Sequence, residues 1–285
     1  MTDSVARPPK RKGDILLILV VILLFLLGAG LMVYPDVASF LASRSHAGLI
    51  AQYHHIMEEI PNAEIQAHLE RAQDYNYSLT GGVIEDPFIP GSGSVIPSDY
   101  YDILNLHHAM GVIEIPAIDV HIPIFHGTGY DVLMRGVGHI PQTPFPIGQM
   151  GKHAALTGHT GIPSSRLFTD LELLEVGNVF IITVLNERMA YRVDQIKIVL
   201  PHEINDLHNV PGEDLVTLVT CTPYAINSHR LLVRGHRIPY EEVRSEDIEV
   251  IVSPLNWRIL LIAGTSAFFL LGWFVYAIKN RKRKR

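Results

Sequence analysis

Two long apolar segments without a charged residue constrain this chain more than any other feature of its sequence. One covers residues 15–33 and the other residues 259–278, which are 19 and 20 residues long. At a rise of about 1.5 Å per residue, each is long enough to cross the roughly 30 Å hydrocarbon core of a bilayer as a helix. The sequence therefore predicts transmembrane helices at residues 15–34 and 258–278.

Basic residues flank both predicted spans and set their orientation. Four of them lie in residues 1–14, and the tail "KNRKRKR" at 279–285 follows the second span. Basic flanks stay in the cytoplasm, so both termini are expected inside and the middle of the chain outside the cell membrane. A cleaved signal peptide is the alternative interpretation of the first span. Residues 35–257 carry twelve basic and 27 acidic side chains, a formal charge of −15, which argues against a nucleic-acid partner.

The amino-acid composition of the segment between the spans changes twice. Residues 35–78 have apolar residues at helical spacing, interrupted by Pro61, and we expect helices that pack against the main domain. Residues 79–98 are rich in Gly, Pro and Ser and predict a loop. Residues 99–245 contain short Val/Ile-rich runs separated by turn residues, which are typical of a mainly β domain, either a closed barrel or a sandwich, and a linker is expected at 246–257.

Cys221 is the single cysteine of the chain, and it ends the strand-like run "TLVTC". A lone cysteine outside the cell cannot form an intramolecular disulfide, so it is either a buried inert thiol or a reactive one. A reactive thiol needs nearby positive charge or an imidazole to lower its pKa. Arg230, nine residues on, begins the next predicted strand and could return beside Cys221, where a guanidinium could also bind an oxyanion.

The choice of a partner imidazole is harder, because the chain has 15 histidines. His159 in "LTGHTG" ends a predicted strand, and its flanking glycines leave room for a substrate backbone. His139, His153 and His229 remain competitors. Metal binding is the rival use of these histidines, and His121 with His126 has suitable spacing, but no second cysteine or H-E-x-x-H helix appears, so no metal site is expected.

Three motifs together resemble the sortases of Gram-positive bacteria, which are membrane-anchored cysteine transpeptidases with a β-barrel fold. They are "LTGHTG" at 156–161, "TLVTC" at 217–221 and the arginine of "HRLLVRG", and the resemblance covers roughly residues 45–240. It implies a closed sortase-type barrel, with Cys221 as nucleophile, His159 as acid and base, and Arg230 as the oxyanion or substrate clamp. Arg234 is similar to a second, non-catalytic arginine of the same strand.

Two further features resemble the class C, pilus-building sortases: a second predicted span, and the lid motif "EDPF" with Asp86, Pro87 and Phe88. The resemblance implies that Asp86 contacts Arg230 and that the ring of Phe88 covers the cysteine. An exposed Asp86–Arg230 pair would contribute about 0–1 kcal/mol and a buried Phe ring about 1.5–3 kcal/mol. The sum is near the ~2.7 kcal/mol that separates 1:1 from 99:1, so we expect a lid that is mostly closed but can open.

The resemblance implies cleavage of an LPXTG-like sorting signal between Thr and Gly, through a thioester, and transfer to a lysine amine of a pilin subunit. No cofactor is expected. Three alternatives remain open. A housekeeping sortase would deliver the acyl group to a cell-wall precursor, and a cysteine protease would hydrolyse the thioester. A non-enzymatic, membrane-tethered assembly module would carry an inert thiol.

Overall fold

The computed structural model describes residues 12–79, 81, 84, 86–89, 96–106, 109–203, 205–243 and 264–266. The chain forms two compact units, residues 1–37 with 253–285, and residues 38–252. In the first unit, helix α1 (Lys12–Glu59) exposes Leu23, Leu27 and Leu31 by at least 60%. Within the described residues, α1 is long and apolar enough to cross a membrane. The predicted second span lies outside the described residues, apart from the helical residues 264–266.

Two helices precede the barrel in the second unit. Helix α1 continues through Pro35 to Glu59, and helix α2 (Asn62–Ser78) follows directly after Pro61. Both bury one face, as the helical spacing of their apolar residues predicts. Tyr53 accepts a hydrogen bond from the backbone N–H of Leu185 at 2.7 Å, and the Asn76 side chain accepts one from the Phe145 N–H at 2.7 Å. The prediction that these helices pack on the main domain is therefore confirmed.

The rest of the unit is an eight-stranded closed barrel, as the sortase resemblance implied. Its strands are β1 (Gly111–Ile115), β2 (Val120–His126), β3 (Val137–His139), β4 (Lys152–Thr157), β5 (Val179–Val184), β6 (Glu187–Val199), β7 (Asp214–Thr222) and β8 (His229–Ile238), and a short helix α3 (Tyr130–Leu133) precedes β3. Around the barrel they follow the order β1-β2-β3-β4-β7-β8-β6-β5. The alternation of buried side chains fills the interior with residues such as Ile113, Phe180, Leu218 and Val233.

Two strand pairs are parallel and determine where the site is built. They are β2 with β3 and β4 with β7, and the other pairs are antiparallel. Strand β3 has only three residues, but the chain beyond it continues to bond β4: the Ile140 N–H donates to the Ala155 carbonyl and the Ala155 N–H donates to the Thr143 hydroxyl, both at 3.0 Å. Because β4 and β7 run the same way, their carboxyl ends meet at one rim of the barrel.

Candidate active site

The parallel pairing of β4 and β7 brings the predicted cysteine and histidine to the same rim. Thr157 of β4 lies opposite Val219 of β7, and the same register continued by two residues places His159 level with Cys221. On the other side of β7, Cys221 lies directly opposite Arg230 of β8. Three side chains that are separated by up to 71 positions in the sequence therefore meet where these strands end or begin.

Hydrogen bonds beyond the regular ladder fix the ends of β4 and β7 together. The Thr220 hydroxyl donates to the Gly158 carbonyl at 2.7 Å, and the Thr157 hydroxyl donates to the Val219 carbonyl at 3.1 Å. Gly158 also packs against the face of Phe168, where an added Cβ would lie 2.9 Å from a ring carbon. Sequence reasoning missed these positioning residues. The only signal was that threonine and glycine adjoin the two candidate residues in "LTGH" and "TLVTC".

The lid aspartate makes a bidentate ion pair with Arg230. Nε of Arg230 donates to Oδ1 of Asp86 at 2.9 Å, and Nη2 donates to Oδ2 at 2.6 Å. The remaining arm of the guanidinium, Nη1, donates to the carbonyls of Asn227 and His229. The guanidinium is therefore oriented by the backbone of the β7–β8 connection, while Asp86 takes the two N–H groups that a substrate could use.

The lid aromatic ring lies beside the same groups. The ring of Phe88 is 5.5 Å from that of His159, and Cζ of Arg230 lies 5.2 Å from the Phe88 centroid. Phe88 also packs on an apolar cluster that includes Val219 and Leu232. Pro87 is half-buried in the turn between Asp86 and Phe88. These contacts tie the lid to the imidazole, the guanidinium and the apolar floor of the site.

The expectation of an exposed Asp86–Arg230 pair is wrong. Only 2% of the Asp86 side chain and 6% of the Arg230 side chain are exposed. A buried pair is screened less by water, and removing one partner of such a pair costs about 3–5 kcal/mol because a buried charge is left alone. Burying both charges also costs desolvation, so the pair by itself does not show that the lid is held more firmly; it shows that Arg230 has a carboxylate partner at this position.

Burial controls the protonation of the two candidate catalytic groups. Desolvation raises the pKa of Cys221 to about 11, against a smaller lowering by Arg230, and the negative charge of Asp86 adds to the rise. Desolvation lowers the pKa of His159. With the lid in place, the thiol and the imidazole are both neutral at physiological pH.

Two of the competing histidines are structural. His139 is fully buried: its Nε2–H donates to the Pro144 carbonyl at 2.9 Å, and its Nδ1 accepts from the Tyr100 hydroxyl at 3.0 Å. His153 donates from Nδ1 to the His208 carbonyl and accepts at Nε2 from Thr217 at 2.7 Å. Desolvation lowers the pKa of His139 to about 3 and that of His153 to about 4, so both are neutral supports of the barrel.

The remaining polar candidates have other partners. Nδ1 of His229 is 2.9 Å from the Ser228 hydroxyl, and Nε2 of His126 donates to the Ile103 carbonyl. Arg234 donates from Nε and Nη2 to Asp194 at 3.0 and 2.9 Å, an ion pair with the same form as that of Arg230. Among the described residues, no group of three or more His, Cys, Asp or Glu side chains is placed to hold a metal ion.

A thiol, an imidazole and a guanidinium at one rim of a closed barrel have the composition of a cysteine acyl-transfer enzyme. Comparison with known proteins agrees. The family model described as "Sortase domain" matches residues 113–238. The curated sortase A of Streptococcus agalactiae serotype III (strain NEM316) is 27% identical over 210 residues, which are 72% of this chain and 77% of that protein.

Solved structures give closer relatives. Sortase C-1 from Streptococcus pneumoniae is 45% identical with a TM-score of 0.65, covering 68% of this chain and 99% of that one. The pilus-related sortase C of Group B Streptococcus is 41% identical with a TM-score of 0.63, covering 67% and 97%. The chain belongs to the sortase family of cysteine transpeptidases, and within it to the class C sortases.

Proposed function

We propose that this sortase cleaves an LPXTG-like sorting signal between threonine and glycine and joins the threonine to a pilin lysine. The convergence of Cys221, His159 and Arg230 at one rim supports this proposal most strongly. A nucleophile, a proton carrier and a fixed cationic donor are the three groups that acyl transfer from an amide requires.

Displacement of the lid prepares the site. When a sorting signal replaces Asp86 and Phe88, the negative charge that adds to the rise in the pKa of Cys221 caused by burial leaves, and Nε–H and Nη2–H of Arg230 become available to substrate. Both changes favour transfer of the thiol proton to His159, which gives a thiolate and an imidazolium. The lid thus links substrate binding to formation of the nucleophile.

The reaction then runs in two halves. The Cys221 thiolate attacks the threonine carbonyl, and the oxyanion accepts hydrogen bonds from Arg230. The C–N bond breaks as imidazolium His159 protonates the departing glycine amine, which leaves a thioester. A lysine amine attacks the thioester and gives its proton to neutral His159, the carbon–sulfur bond breaks, and the product is an isopeptide.

The pilin acceptor rests on the class of the relatives and on the lid. One matching structure is described as a pilus-related sortase C, and another as giving insight into pilin substrate specificity. The "EDPF" lid and the two predicted spans are the features that resembled class C in the sequence. We propose that both spans anchor the enzyme in the cell membrane, with its termini in the cytoplasm and its barrel outside.

The test uses the full-length chain in detergent with Asp86→Ala, an LPXTG peptide and intact-mass measurement. We expect a thioester on the protein that is absent from the additional Cys221→Ala variant and that moves to an added lysine amine. Transfer to a lipid-linked cell-wall precursor in preference to lysine would instead indicate a housekeeping sortase. Hydrolysis alone would indicate a protease, and no adduct with any sorting motif would refute the proposal.

A further inference from the structure

The extracellular part of the chain is poor in lysine, although it is not poor in basic residues. Residues 35–257 contain ten arginines and only two lysines, Lys152 and Lys197. Outside that segment the same chain has five lysines and six arginines. A general preference of the organism for arginine would act on the whole chain, so it does not account for the difference. The two amino acids differ chemically, because an amine can attack a thioester and a guanidinium remains protonated and does not.

One of the two lysines lies far from the site. Lys152 begins β4, and His159 lies just beyond the other end of that strand. Its ammonium donates to the Asn76 carbonyl at 2.5 Å and lies 4.8 Å from the centroid of the Tyr77 ring. It is therefore held against α2, on the side of β4 away from the lid.

The other lysine lies on the face of the sheet that carries Cys221. Lys197 of β6 lies opposite Leu232 of β8, which lies opposite Val219 of β7, two residues before Cys221. With strands about 4.8 Å apart and about 3.3 Å between residues, the Cα atoms of Lys197 and Cys221 are roughly 12 Å apart. An extended lysine side chain covers about half of that distance, so an acyl group on the cysteine would have to span only the rest.

An ion pair holds this second lysine. Nζ of Lys197 donates to both carboxylate oxygens of Asp206, each at 3.0 Å, and both side chains are partly exposed. Asp206 lies in the β6–β7 connection, so the pair draws the amine toward that connection.

We propose that this enzyme protects its thioester from its own amines: the basic side chain at the rim beside Cys221 is an arginine and not a lysine, and Asp206 restrains Lys197. This inference rests on the proposed function, since self-transfer requires the thioester that the proposed function forms on Cys221. In that side reaction the Lys197 amine would attack the thioester carbonyl, the carbon–sulfur bond would break, and an amide on the enzyme and a free thiol would remain. The acyl group would then stay on the enzyme and could not be added to the growing product.

The test places an amine at the rim. Tyr224 is 56% exposed three residues after Cys221, and its ring packs over Gly161, two residues after His159. In full-length protein with Asp86→Ala, we would compare Tyr224→Lys with Tyr224→Arg. Met150→Lys, which adds an exposed lysine before the start of β4, is the distant control. After reaction with an LPXTG peptide, hydroxylamine removes thioesters and leaves amides, and peptide mapping locates the acylated residue.

We expect thioester in every variant, and a hydroxylamine-resistant adduct at position 224 only with lysine there. A tethered amine has an effective concentration on the order of 1 mM, so 1 mM of an added lysine amine should reduce this adduct by about half. Asp206→Asn tests the ion pair independently. It should produce an adduct on Lys197 that the double variant with Lys197→Arg lacks.

The inference would be overturned, and the proposed function left intact, by one result. In that result, Tyr224→Lys and Asp206→Asn form thioester and accept an added amine but give no hydroxylamine-resistant adduct. Acylation of Met150→Lys as fast as of Tyr224→Lys would also overturn it, because position at the rim would then not matter. Failure of the Asp86→Ala parent to form thioester would instead refute the proposed function, and this inference with it.

Discussion

Removing the lid carboxylate should make Cys221 more acidic and faster to alkylate. In Asp86→Ala the buried charge that raises the pKa of the thiol is gone, and Arg230, which lowers that pKa, is no longer neutralised. Burial is the largest cause of the raised pKa, and Asp86 adds to it, so we expect the pKa to fall below about 11; each unit of that fall is a tenfold larger thiolate fraction at pH 8. A less basic thiolate is also a weaker nucleophile, so the net gain in rate is about three- to fourfold for each unit.

The assay is the rate of iodoacetamide alkylation as a function of pH. The midpoint of this profile reports the pKa of the Cys221 thiol, whereas the plateau at high pH reports how accessible the thiolate is. Phe88→Ala opens the site but keeps the carboxylate, so it should raise the rate at the high-pH plateau and also lower the midpoint, because it relieves the desolvation that is the largest cause of the raised pKa. Asp194→Ala is the matched control, since it breaks the bidentate pair with Arg234, four residues along β8 from Arg230. If the midpoint of the pH profile were the same in Asp86→Ala as in Asp194→Ala, the electrostatic role given to the lid would be refuted.

Three further results are expected. Because burial lowers the pKa values of His139 and His153 to about 3 and about 4, the unfolded state binds more protons below pH 6.5. Stability should thus fall below pH 6.5, by roughly 1–2 kcal/mol per pH unit between pH 6 and 5 in urea titrations, because burial raises the pKa of Asp214 to about 6 and this offsets part of the loss from the two histidines; a flat profile would contradict this. Gly158→Ala should cost about 1–3 kcal/mol by crowding Phe168, whereas Gly129→Ala, with open space, should not. Arg230→Lys should slow thioester formation about 100-fold or more, measured by quenched mass spectrometry on folded protein; retention of the rate would exclude a fixed oxyanion donor.

Local patterns predicted most of the barrel. The Val/Ile-rich runs became strands because alternating apolar residues fill its interior, and Cys221 lies at a strand end as "TLVTC" followed by Thr-Pro suggested. Strand β3 was not predicted, since three residues that include Gly138 carry too little periodicity. The parallel pairing of β4 with β7 joins segments about 60 residues apart, and no local pattern encodes such a contact.

The site shows the same division between local and distant information. Residue chemistry pointed to Cys221, and a family resemblance was needed to choose His159 from 15 histidines. The environment of Asp86 could not be predicted, because it depends on Arg230, which is 144 positions away. An aspartate in a Gly/Pro-rich loop is usually hydrated, and only packing of Phe88 and the barrel surface around the pair removes the water.

The closed barrel also limits how an extended peptide can be held. A sheet with an unpaired edge can capture a peptide as an additional strand, through a row of backbone hydrogen bonds that no side chain selects. Here the strands close on one another, and beyond the short β3 the backbone of Ile140 and the hydroxyl of Thr143 engage β4. A peptide at this surface therefore finds no unpaired edge among the eight strands of the barrel, and we expect it to be recognised mainly through its side chains.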